Sequence, residues 1–142
     1  MKAHLDAVKD RIESLGVATF IGWAYNPPAR YAVLEPVTWD GTDELPLCGP
    51  DDVLDETFRV KAVAGTTVDG ALILLGLIRD ELSPGRRWAS LTVPGRSAEV
   101  KHLRMEMATV DQSVTVTSTD RHPAFGVDSY RLMSQPSEEE SS

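Results

Sequence analysis

The stretch Val68–Leu82 reads VDGALILLGLIRDEL, and its middle, Gly70 to Ile78, is apolar on every side of a helix. A helix with one apolar stripe can lie on a sheet, whereas one that is apolar all round needs cover on more than one side. Thr66-Thr67-Val68-Asp69 is suited to start it. A threonine oxygen can accept from an orphan backbone N–H, and Asp69 sits near the positive helix end. Ser83-Pro84-Gly85 stops it. One sheet face covers one side only, so the rest must lie under a loop of the same chain or against a second subunit. The run is far shorter than the roughly 20 residues that cross a membrane.

The remaining segments supply the sheet. Residues 2–15 read as an amphipathic helix, with Leu5, Val8, Ile12 and Leu15 on one face and Gly16 as terminator. Strand patterns occupy 17–23, 31–34, 58–63, 89–93, 98–107, 114–117 and 124–133. Residues 37–56, rich in Gly, Pro, Asp and Thr, read as a long loop, which in a compact chain tends to be functional. The expected fold class is α+β: a mainly antiparallel β-sheet packed by two helices, with a long loop between the second and third strands. One domain over residues 1–134 accounts for the chain, followed by an acidic tail, 135–142, expected to be disordered.

Charge restricts the partners. The chain of 142 residues carries a formal charge of −8, which argues against general nucleic-acid binding. No Lys or Arg lies between Arg30 and Arg59, while Glu35, Asp40, Asp43, Glu44, Asp51, Asp52, Asp55 and Glu56 all do. The first residues, MKAHLDAVKD, lack the apolar run of a secretory leader. Cys48 is the single cysteine, so the expectation is a reduced, cytoplasmic chain with no intrachain disulfide.

Chemistry is most conspicuous in RHPAFGVDSYRL, Arg121 to Leu132. His122, Asp128, Ser129 and Tyr130 resemble a reactive cluster. On a strand, however, Asp128 and Ser129 face opposite ways, and Pro123 biases His122 to an extended entrance. No nucleophile elbow surrounds Ser129. A strand with a polar outer face is the expected reading. His4, His102 and His122 have no second His or Cys at metal-ligand spacing, and each is expected to be satisfied or solvent-facing. Asp40-Gly41-Thr42-Asp43-Glu44 lacks the ligand order of a calcium loop. Phosphate-loop motifs are missing. Arg86-Arg87-Trp88 reads as a source of intersubunit salt bridges.

The opening helix ending at Gly16, the Pro-rich turn before Tyr31-Ala32-Val33-Leu34, and the His-Pro…Val-Asp-x-Tyr-Arg-Leu ending together resemble the tail terminator proteins of bacteriophages. These are phages with long, non-contractile tails, especially those of actinobacterial hosts. The resemblance spans about residues 2–134. It implies a homo-hexameric ring that caps the tail tube, binds the major tail tube protein and joins the head–tail connector or a head-completion protein. DNA passes through such a ring without sequence-specific binding. No enzymatic activity, cofactor, metal or membrane contact is implied. The implied location is the virion, at the head-proximal end of the tail, after assembly in the host cytoplasm. Six copies would carry a formal charge of about −48, and an acidic lumen offers phosphates no grip. The expected interaction residues are Asp40, Asp43, Glu44, Asp51, Asp52, Asp55, Arg86 and Arg87. The alternatives are another neck or tail-tube protein, or a small cytoplasmic enzyme or ligand-binding domain using His122 with Asp128 or Tyr130.

Overall fold

The computed structural model describes residues 2–36, 53–111 and 122–137. The elements run α1 (Lys2–Glu13), β1 (Ala18–Ile21), β2 (Arg30–Pro36), β3 (Leu54–Ala64), α2 (Val68–Leu82), a 3₁₀ turn (Pro84–Arg86), β4 (Ala89–Val93), β5 (Arg96–Val110) and β6 (Ala124–Pro136). One six-stranded sheet has the order β1-β2-β3-β6-β5-β4. Only β1 and β2 pair in parallel; every other neighbouring pair is antiparallel. The fold is α+β, as the alternation of segments suggested.

The two helices lie on one face of a curled sheet. Period-two spacing sends Phe58, Val60 and Ala62 of β3 and Tyr130 and Leu132 of β6 to that face, where they are buried. Leu34, Val100, Leu91 and Val93 join them from β2, β5 and β4, and Leu5, Val8 and Ile12 from α1. Phe58 and Tyr130, directly opposite in register, stack at 5.4 Å. The curl lets α1 pack against both β1 and β4, the two outer strands of the sheet, as well as against α2.

The ends of α2 follow its sequence. Thr67, in extended conformation, accepts from the Gly70 N–H through its side chain, and the Ser83 N–H closes the last turn onto the Arg79 carbonyl. The middle of the helix meets β6 at Gly126. A Cβ there would lie 2.5 Å from Leu75 Cδ1, so the missing side chain sets the helix-to-sheet distance.

Several boundaries differ from those expected by one to four residues, and two of them change what the sheet contains. β3 begins at Leu54, not Phe58: Leu54 is buried and pairs with Ser134, and the register continues unbroken to Val63. Charged Asp55 and Glu56 obscured the alternation there. β6 likewise runs through Pro136, two residues past the expected domain end, because Arg96 and Ser97 hold partners for Pro136 and Gln135. The expected strand at 114–117, the acidic end from Glu138 and residues 37–52 of the long loop lie outside the described residues.

Candidate interaction surfaces

The polar residues of β6 divide between its two faces: Asp128 and Tyr130 lie on the helix side, and Ser129 and exposed Arg131 on the outer side. Gly126, Asp128, Tyr130 and Leu132 are buried on the helix side, and Ser129 is also buried, on the opposite face. β6 lies between β3 and β5 in the middle of the sheet; its helix side is buried from Ala124 to Ser134, while its other face is buried at Val127 and Ser129 and exposed at Arg131, Met133 and Gln135. Asp128 is fully buried. Its two carboxylate oxygens accept from Arg79 Nε and Nη2 of α2 at 2.9–3.1 Å. This forked pair ties α2 to the central strand. His102 Nε2 lies 3.3 Å from Asp128 Oδ2. Burial holds the His102 ring below its ordinary pKa, with Asp128 pulling the other way, so the ring is neutral at pH 7. The Tyr130 hydroxyl, raised in pKa by burial and then by Asp128, lies buried in the same cluster.

A second buried connection fixes α1. His4 Nε2 and Ser134 Oγ are 2.8 Å apart, and Arg96 Nε donates to the same hydroxyl at 2.6 Å. Burial, with help from the N-terminal amine and Arg96, lowers the His4 pKa to about 4. Arg11 joins the helices and β4: it donates to the Glu81 carboxylate and carbonyl and to the Ser90 carbonyl.

The sequence-predicted catalytic partners are not brought together. His122 and Asp128 lie six positions apart on one extended segment, about 20 Å along it, and Ser129 Oγ donates to the Arg104 carbonyl on the other face. The histidines are satisfied only in part: His4 Nε2 meets Ser134 and His102 Nε2 lies beside Asp128, both rings being buried, while Nδ1 of His4, His102 and His122 has no hydrogen-bond partner among the described residues. Among the described residues, no group of three His, Cys, Asp or Glu gathers as a metal site.

Three of the expected interaction residues are described. Asp55 is exposed on the helix-free face and takes both Nε and Nη2 of Arg131, at 2.9 and 2.6 Å. That contact lowers the pKa of its carboxyl. Arg86 and Arg87 are exposed at the 3₁₀ turn, Arg86 with φ of 59°, and make no ion pair among the described residues. The Arg87 carbonyl accepts from Ser83 Oγ at 2.6 Å. Asp40, Asp43, Glu44, Asp51 and Asp52 lie outside the described residues.

Three apolar surfaces remain uncovered among the described residues. On α2, Ala71, Leu74, Leu75, Ile78 and Leu82 face the sheet, while Leu72, Ile73 and Leu77 face outward, with Ile73 67% exposed. On β5, partners in β4 end at Val100, and register shifts at Leu103 and Glu106 precede exposed Met105 and Met107. The register sets Met105 opposite Asp128 and Met107 opposite Val127, so the two methionines flank the strand on its two faces. In the β1–β2 connection, Trp23 and Tyr25 are 69% and 74% exposed and meet edge to face at 5.9 Å.

The helix-free face also holds an open groove of about 430 Å³. Met107, Phe125 and Val127 are its apolar part, and Glu35, Arg59, Lys61 and Glu106 are its charged part. Lys61 Nζ stands 4.6 Å from the Phe125 ring centroid, and Arg59 pairs with Glu106. No family model matches the chain, and no curated protein matches it.

Proposed function

We propose that this chain is a structural subunit of a phage tail, forming a ring, hexameric by resemblance, that caps the tail tube. In this reading it stops tube elongation, joins the tail to the head–tail connector and leaves a channel for DNA. The observation that carries the assembly part, a surface for another protein of the tail, is the outward side of α2. Leu72, Ile73 and Leu77 are exposed on a helix whose other side is core, and contiguous apolar surface of this kind marks contact with another protein. The identity of the ring rests on the resemblance of the opening helix and of the Val-Asp-x-Tyr-Arg-Leu ending. In this reading the polar residues of that ending serve architecture: Asp128 is enclosed between Arg79 and His102 and ties a helix to the central strand.

The mechanism is geometric. Subunits associate side by side, one ring face docks on the last tube ring, and the opposite face presents no tube-like surface, so growth ends. A head-to-tail map of the purified particle tests this. A single ring of the chain at the upper end of the tube is expected. Many stacked rings would make it a tube protein, and its absence from the particle would overturn the reading altogether.

A further inference from the structure

We infer that Trp23 of one copy seats in the groove between Lys61, Met107, Phe125 and Val127 of the next copy, with Tyr25 against the methionine edge of β5. This rests on the ring reading and names the surfaces that would join its subunits.

The donor side is built to project. Trp23 and Tyr25 follow β1, and the chain there must turn back to start β2 in the same direction, within residues 22–29. Asn26, Pro27 and Pro28 make that return, Asn26 with φ of 52°. The aromatic pair therefore stands on a short, turn-restricted connection with most of its surface outward. Two large aromatic rings held against each other lose little freedom on docking, which suits them as anchors.

The acceptor side is complementary in kind. An indole needs an apolar wall and gains from a cation near its face. Phe125 and Val127 supply the wall, and Lys61, already over the Phe125 ring, is the cation beside it; Arg59 is paired with Glu106, and Glu35 completes the rim. Methionine adapts its shape to an aromatic ring and contacts it favourably through sulfur. The two register shifts in β5 place Leu103, Met105 and Met107 in solvent at its open edge. Such shifts blunt a strand against ladder pairing, so side chains rather than backbone carry this contact.

Trp23 and the groove are different surfaces, so every copy gives one contact and receives one. Repeated with a rotation that divides the full circle, that arrangement closes into a ring; with any other it runs on as a filament.

The test uses the full chain at about 100 µM, followed by native mass spectrometry and sedimentation. Wild type is expected to form a closed oligomer larger than a dimer. Trp23→Ala/Tyr25→Ala and Met105→Lys/Met107→Lys alter only exposed side chains, and matching thermal melts would confirm that both still fold. Each variant alone is expected to associate at least about tenfold more weakly. Mixed, the two variants retain one intact donor and one intact groove, so a 1:1 heterodimer is expected, with nothing larger. A wild type that stops at two copies overturns the head-to-tail arrangement. Variants that assemble like wild type overturn the choice of surfaces while leaving the ring intact. A wild type that stays monomeric overturns the contact, and the particle map then judges the tail reading by itself.

Discussion

At the scale of single residues, buried polar groups hold the helices to the sheet. Arg79 is mostly buried and has Asp128 as its counter-charge. Asp128→Asn leaves that guanidinium without one, and a loss of about 3 kcal/mol is expected. Adding Arg79→Gln should recover part of the loss, and chemical denaturation of the four chains in a double-mutant cycle measures the coupling. His4 makes stability depend on pH. Its neutral ring fits the folded site, while the unfolded ring takes a proton near pH 6.5. Stability is therefore full above pH 6.5 and falls as the pH drops towards about 4, by about 2–3 kcal/mol. His102, also lowered, acts in the same direction. Asp55, held low by Arg131, loses its contribution only at lower pH than this. Urea midpoints at pH 7 and pH 4.5 should differ less for His4→Gln than for wild type; equal differences would exclude His4 as a source. These pairs were not legible in the sequence. Arg79 and Asp128 are 49 positions apart, and no periodic pattern marks two polar residues that meet across a helix and a strand. Asp128 itself was visible, and the strand period set it on the face opposite Ser129, but nothing in the period showed that this face meets Arg79 of α2.

At the scale of elements, the period of the apolar residues was the reliable signal. Both helices, the Thr67 cap and the alternating runs of β3, β5 and β6 stand where sequence patterns put them. Boundaries slipped where charged residues occupied alternate positions, as at Asp55 and Glu56. The all-round apolar character of α2 was legible too, and its outward half remains uncovered among the described residues. Ile73→Asp/Leu77→Asp should therefore leave the isolated chain folded, at a cost of about 1–2 kcal/mol from helix propensity and the partly buried Leu77. If that side of α2 is a contact in the tail, as proposed, the same variant should be lost from assembled particles. A folded variant incorporated like wild type would remove α2 from the list of contacts. On its inner side α2 has no such latitude. Gly126→Ala forces Leu75 or the helix to move, with an expected loss of about 1–3 kcal/mol by thermal unfolding.

At the scale of the whole molecule, strand order governs how the fold can form. β1, β2 and β3 make one block and β4 and β5 another; the two blocks have no strand-to-strand pairing until β6 enters between β3 and β5. Joining them requires contacts between residues far apart in the chain, which slows folding. A chain ended at residue 123 should accordingly show no cooperative thermal transition. A sharp transition in that fragment would mean that one block is independently stable. The order also has a consequence for synthesis. A ribosome makes β6 after the other five strands, so a nascent chain holds two unmatched half-sheets until the central strand clears the exit tunnel. If the groove joins the subunits, as inferred, self-association through it is withheld during translation, because it includes Phe125 and Val127 of β6 and does not exist before that strand is in place.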